Sequence, residues 1–149
     1  MTRHRWFMAG CVVLMLLGTL HLIATSLVPP PAPKSDDEKT LERLMTTVQM
    51  EYPGAKRTTQ QIFTGFSIFL DIVPNMMGLA GLAVATVRPR PAAALKRLSI
   101  VYAVGSAAML VNSILHWFMI PTPIIGLATL CFLLAVFLDG KQGPSGVQT

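Results

Sequence analysis

The chain has 149 residues, of which 52% are hydrophobic and 13% charged. An ordinary soluble domain carries about 25% charged residues, so this composition argues for lipid as the solvent and against a secreted, disulfide-rich mini-protein. The net charge of +5 would suit a nucleic-acid binder only if the basic residues clustered on a soluble face, but they lie at the ends of apolar runs.

Four apolar runs follow one another along the chain, and each is predicted to be a transmembrane helix. They cover residues 6–28, 62–87, 98–120 and 122–138. A helix needs roughly 20 apolar residues to cross the hydrocarbon core, with about 17 as the lower limit, so the fourth run lies at that limit. The first run is longer than the apolar region of a signal peptide, which spans about 7 to 15 residues, and we interpret it as a retained helix.

The segment between the first two runs is predicted to contain a short helix outside the membrane. Residues 29–33 include four prolines and form a stiff spacer. Ser35 can cap a helix and Glu38 can reach back to it, which is the capping-box pattern. Apolar side chains then recur at helical spacing up to Tyr52, which predicts an amphipathic helix over residues 35–52. Its apolar stripe is expected to cover the bundle mouth or rest on the lipid interface, and partner binding is the alternative.

The distribution of charge predicts the orientation. Arg3 and Arg5 precede the first run, and the segment 88–97 carries four basic residues and no acid, whereas the first loop balances five basic against five acidic residues. The positive-inside rule places both purely basic segments, and with them the N-terminus and the C-terminus, in the cytoplasm. Residues 139–149 are rich in Gly, Ser and Gln, and this composition predicts a disordered tail.

Asp71 is the sharpest functional signal, because it lies deep inside the second apolar run. A carboxylate at the bilayer centre costs roughly 2.5–3.5 kcal/mol on insertion scales, so it is expected to face the bundle interior and have a partner. Counting residues from each helix centre brings His21, Asp71, Asn112 and His116 to a similar level in the outer half of the membrane. With Asn75, which follows Asp71 by one turn, they are the candidate ligand-binding or proton-accepting residues.

Three interpretations of this cluster stay open. His21 and Asp71 can form a pair, completed by Asn112, that only specifies helix packing, since such hydrogen bonds are worth about 0.6–2 kcal/mol in membranes. The cluster can instead bind a small ligand or take up a proton, because histidine changes charge near neutral pH. His21, His116 and Asp71 as metal ligands are the third interpretation. With no metal-helix, nucleotide or catalytic motif in the sequence, we predict no cofactor, no metal and no enzymatic activity.

The organisation of the chain is defined by three features in order. They are the stretch Gly18-Thr19-Leu20-His21, an outer helical loop, and the segment from Gly54 to Arg57 that leads into Thr64-Gly65-Phe66. This organisation resembles a group of small uncharacterised bacterial four-helix membrane proteins that is loosely similar to the DoxX-like group. The resemblance implies a location in the bacterial inner membrane and implies no substrate.

We therefore predict an all-α fold, an integral membrane four-helix bundle with a short amphipathic helix in its first extracytoplasmic loop, as one membrane domain over residues 1–149. The expected role is that of a non-enzymatic multipass protein with a polar intramembrane cluster. The alternatives are a redox- or quinone-associated membrane subunit and a small ion- or proton-coupled carrier. The expected partners are the lipid bilayer and either a second copy of the chain or another membrane protein, not nucleic acid.

Overall fold

The structure is a computed structural model that describes residues 2–29, 31–88, 92–116 and 121–138. Its helices are α1 (Arg3–Leu27), α2 (Asp36–Thr47), α3 (Thr59–Thr86), α4 (Ala92–His116) and α5 (Pro121–Phe137). Between α2 and α3, the strands β1 (Gln49–Tyr52) and β2 (Ala55–Thr58) pair as an antiparallel hairpin. The described chain is therefore mostly helical, which confirms the predicted all-α class.

The helices α1, α3 and α4 are long and apolar enough to cross a membrane by length and composition, and α5 is a shorter apolar helix of 17 residues. These four helices occupy the four predicted spans. The helix α4 begins at Ala92 rather than at residue 98, because alanines extend it and the stems of Lys96 and Arg97 can lie along its surface. Residues 117–120 of the third predicted span and the predicted tail 139–149 lie outside the described residues.

The chain divides into two compact units, one made of Met1–Leu17 and Pro74–Thr149 and the other of Gly18–Val73. The hydrophobic core of the first unit is built around three aromatic rings. Phe7 of α1, Tyr102 of α4 and Phe132 of α5 stand with ring centroids 5.1–5.7 Å apart in tilted or edge-on pairs. The Tyr102 hydroxyl donates to the carbonyl oxygen of Met77 at 2.7 Å, so its polar end is satisfied inside the core.

Small residues let the helices of the first unit approach one another closely. A Cβ added at Gly78 of α3 would lie 2.6 Å from the backbone oxygen of Cys11 on α1. Such contacts between backbones are typical of helix pairs in membranes, where packing and hydrogen bonds hold the helices together.

The contacts of the first unit also show the direction of its helices. Arg3, at the start of α1, donates from Nε to the carbonyl oxygen of Ala135, near the end of α5, at 3.0 Å. The hydroxyls of Ser113 and Thr122 lie 2.7 Å apart where α4 ends and α5 begins. The start of α1 therefore lies beside the end of α5, and α4 and α5 are antiparallel neighbours.

In the second unit, α2 begins as the sequence predicts. Ser35 is the N-cap residue, and its hydroxyl accepts from the Glu38 backbone N–H at 3.2 Å. The Glu38 carboxylate reaches back one residue beyond the cap and accepts from the backbone N–H of Lys34. The predicted cap at Ser35 is confirmed, whereas Glu38 accepts from Lys34 and not from Ser35. The acidic first turn also suits the positive end of the helix dipole.

The predicted end of the amphipathic helix is wrong. The helix α2 stops at Thr47, and the last residues of the predicted range 35–52 form β1 instead. Pro53 and Gly54, with Gly54 at φ +81°, form the tight turn of the hairpin, so the backbone of β1 pairs with β2. Tyr52 therefore belongs to a strand and not to the apolar stripe of α2.

The first turn of α3 is held by a second capping box that the sequence analysis did not identify. The Thr58 hydroxyl accepts from the Gln61 backbone N–H at 3.3 Å, and the Gln61 side chain accepts from the Thr58 backbone N–H at 3.0 Å. The sequence signal was present, since threonine stands three residues before glutamine at the start of an apolar run.

Candidate functional site

The structure brings together two of the five predicted site residues. His21 of α1 and Asp71 of α3 both lie in the second unit, and the ring Nδ1 of His21 is 2.7 Å from Oδ1 of Asp71. This distance is in the range of charge-assisted hydrogen bonds. The Asp71 carboxylate therefore has a partner on another helix, as expected, and this partner is His21.

The two side chains differ in exposure. The Asp71 side chain is 9% exposed, whereas that of His21 is 27% exposed. A carboxylate removed from water is stable only if it is paired or hydrogen-bonded, and His21 supplies such a partner. The pair thus consists of a covered acid and an imidazole with one edge at the protein surface.

The surroundings of the pair are apolar. The chain neighbours Leu20, Leu22, Ile68 and Ile72 are each about half exposed. Within the ranges 18–27 and 59–73, which are the parts of α1 and α3 in this unit, His21 and Asp71 are the only titratable side chains. No second charge on these two segments competes for the carboxylate.

The hydrogen bond links the tautomer of His21 to the charge of Asp71. An ionised carboxylate can only accept, so with Asp71 ionised the proton of the shared hydrogen bond is on Nδ1 of the imidazole. In the neutral ring, Nε2 then carries a lone pair. Within the described parts of the chain, Nε2 makes no hydrogen bond. One ring nitrogen is therefore oriented by Asp71, and the other is open for a proton or a hydrogen-bond donor.

Two local features stand beside the pair. The Thr25 hydroxyl donates to the carbonyl oxygens of His21 and Leu22, at 2.9 and 3.2 Å, and so satisfies acceptors near the end of α1. Pro74 lies inside α3 three residues after Asp71 and has no backbone N–H to donate to Leu70. The boundary between the two units falls at Pro74.

The other predicted site residues have different positions. Asn75 is half-buried on α3 and takes part in a polar interaction. The side chain of Asn112 on α4 is exposed and belongs to the first unit, so its predicted completion of the pair stays a prediction. The predicted contribution of the His116 side chain lies outside the described residues.

The pair by itself provides two possible metal ligands. In the described ranges, no group of three or more His, Cys, Asp and Glu side chains lies close enough to hold a metal ion. What the pair can do chemically is accept a proton at Nε2 or hydrogen-bond a ligand there.

The second unit contains a groove between the proline spacer and α2 that the sequence did not predict. It has a volume of about 580 Å³, and its lining includes Pro31, Pro33, Lys34, Leu41, Met45 and Gln60. The proline spacer forms one side of it, and α2 forms another. The apolar residues Leu41 and Leu44 of α2 are about half exposed, so the apolar stripe of this helix is not covered by the described chain.

Comparison with known proteins finds no family model, no curated protein and no solved structure that matches this chain.

Proposed function

We propose that this chain is a multipass protein of the bacterial inner membrane in which the His21–Asp71 pair takes up a proton or binds a small ligand within the bilayer. The observation that carries the proposal is the 2.7 Å contact between Nδ1 and Oδ1 on two apolar helices, with the second ring nitrogen open. Ionisable residues inside transmembrane segments are rare and mark functional positions by default.

Exposed apolar side chains support a membrane environment. On α3, Phe63, Phe66 and Phe69 are each at least 60% exposed, and comparable residues lie along α1, α4 and α5. Soluble monomers rarely expose contiguous apolar patches of more than a few hundred Å². Contact with acyl chains costs these side chains no free energy, whereas contact with water does.

The direction of the helices supports four crossings. An even number of crossings brings the start of α1 and the end of α5 to one side, as the hydrogen bond from Arg3 to the Ala135 carbonyl requires. The 17 residues of α5 are about the minimum for a span. The basic residues of the N-terminus and of the segment 88–97 support a cytoplasmic location of that side, and with it of both termini, by the positive-inside rule.

A function beyond packing is favoured by the unequal exposure of the pair. A hydrogen bond that only joins two helices needs no accessible ring nitrogen. His21 keeps 27% of its side chain at the surface, while the acid that orients it is covered. This arrangement leaves Nε2 available and fixes the direction in which it points.

The proposal is tested by nitrogen NMR of the full chain in lipid nanodiscs. The chain has three histidines, so selective ¹⁵N-histidine labelling yields few signals, and H21Q assigns those of His21 while H4Q serves as the control. We expect the neutral ring to carry its proton on Nδ1, the D71N variant to populate the other tautomer, and acidification to add a second proton at Nε2. If D71N leaves the tautomer unchanged, or His21 gains no proton while the protein stays folded, the proposal is wrong.

A further inference from the structure

We infer that the open ring nitrogen of His21 binds the hydroxyl group of a lipid-soluble molecule that reaches the pair laterally from the bilayer. This inference rests on the proposed function and names the class of ligand for the same site. Three properties of the second unit carry it: the acceptor character of Nε2, the neutrality of the neighbouring helix segments and the apolar surface through which the ring emerges.

The acceptor character follows from the hydrogen bond to Asp71. With Asp71 ionised, its carboxylate holds the imidazole proton on Nδ1, and the neutral ring then presents a lone pair at Nε2. A lone pair in an apolar environment is complementary to an O–H or N–H donor and not to a carbonyl or an ether oxygen. Asp71 acts here as a positioning residue, since without it the ring could place its proton on either nitrogen.

Charge selects a neutral ligand. The carboxylate of Asp71 is the only acidic group on the two helix segments, and no lysine or arginine lies on them. An anionic ligand would meet a negative charge with no basic side chain to offset it. A neutral hydroxyl adds a hydrogen bond without bringing another charge out of water, which is the costly step in a low dielectric.

The surface around the ring selects a lipid-soluble ligand. His21 lies six residues before the end of α1, about 9 Å along the helix axis. Leu20 and Ile68, on the two helices that carry the pair, expose about half of their surfaces. A molecule with an apolar body and one hydroxyl, such as an alkylphenol or a long-chain alcohol, would bury its body among these side chains and its hydroxyl at Nε2.

The test compares two probes that differ only in the donor. The ¹⁵N-histidine-labelled full chain in phosphatidylcholine nanodiscs is titrated with 4-nonylphenol and, separately, with its methyl ether, 4-nonylanisole. We expect the phenol to shift the Nε2 signal of His21 in a saturable manner and the ether to bind about tenfold more weakly, as expected for loss of one hydrogen bond. The H4Q variant should respond as the native chain does, and D71N should bind the phenol more weakly.

The outcomes separate this inference from the proposed function. Equal responses to the two probes would overturn it, because they would reflect partition into an apolar surface. An Nδ1–H tautomer that persists with no response to the phenol would also overturn it while leaving the proton-accepting pair intact. A second arm replaces phosphatidylcholine by phosphatidylglycerol without any probe. An Nε2 shift there would support the hydroxyl chemistry and identify the lipid glycerol group as its source.

Discussion

Removing His21 while leaving Asp71 in place is expected to destabilise the protein more than removing Asp71. In H21L, a carboxylate that is 9% exposed loses its partner across the helix pair. Breaking a buried pair from one side costs about 3–5 kcal/mol, but Asp71 takes part in a further interaction, so we expect a loss of about 2–3 kcal/mol. In D71L the charge itself disappears, and we expect a loss of less than about 1 kcal/mol.

The assay is a double-mutant cycle on the free energy of unfolding. H21L, D71L and the double variant are unfolded reversibly in mixed micelles by raising the fraction of denaturing detergent. The double variant should resemble D71L, which corresponds to a coupling energy of about 2–3 kcal/mol between the two side chains, equal to the loss expected for H21L. N112L is the control, because Asn112 is exposed and makes no hydrogen bond in the described chain, and should change stability by less than about 0.5 kcal/mol.

Additive effects would refute this reasoning. If H21L and D71L destabilise the protein equally and the double variant loses the sum of the two, the side chains are not coupled. The contact between Nδ1 of His21 and Oδ1 of Asp71 would then contribute nothing to the free energy of unfolding.

Three further predictions concern packing, topology and capping. G78A should destabilise the protein by about 1–3 kcal/mol in the same unfolding assay, because its Cβ would meet the α1 backbone, whereas G105A, with open space around it, should not. A hydrophilic maleimide applied to intact proteoliposomes should label L44C on α2 but not F66C on α3. The native cysteines are buried and should not react. Equal labelling of the two variants would contradict the proposed span. S35A should speed amide exchange in the first turn of α2, consistent with a cap worth about 1 kcal/mol, and unchanged exchange would show that the cap is not needed.

The sequence alone determined the positions of the apolar helices and the start of α2. Long apolar runs form helices wherever lipid leaves no other partner for the backbone, and the pattern of Ser35 and Glu38 acts through hydrogen bonds between near neighbours. The end of α2 was predicted wrongly because the apolar spacing that continues to Tyr52 is also compatible with a strand. The hairpin turn at Gly54 provides that strand with a partner.

The depth of Asp71 inside an apolar run predicts that its carboxylate has a partner, whereas the residue that supplies this partner depends on how α1 packs against α3. His21, Asn112 and His116 were all expected at a similar depth. Helices that are apolar on every side give no hydropathy signal for their rotation about their own axes, and that rotation decides which polar side chain faces inward. Within the second unit, the packing of α1 and α3 turns His21 toward the carboxylate.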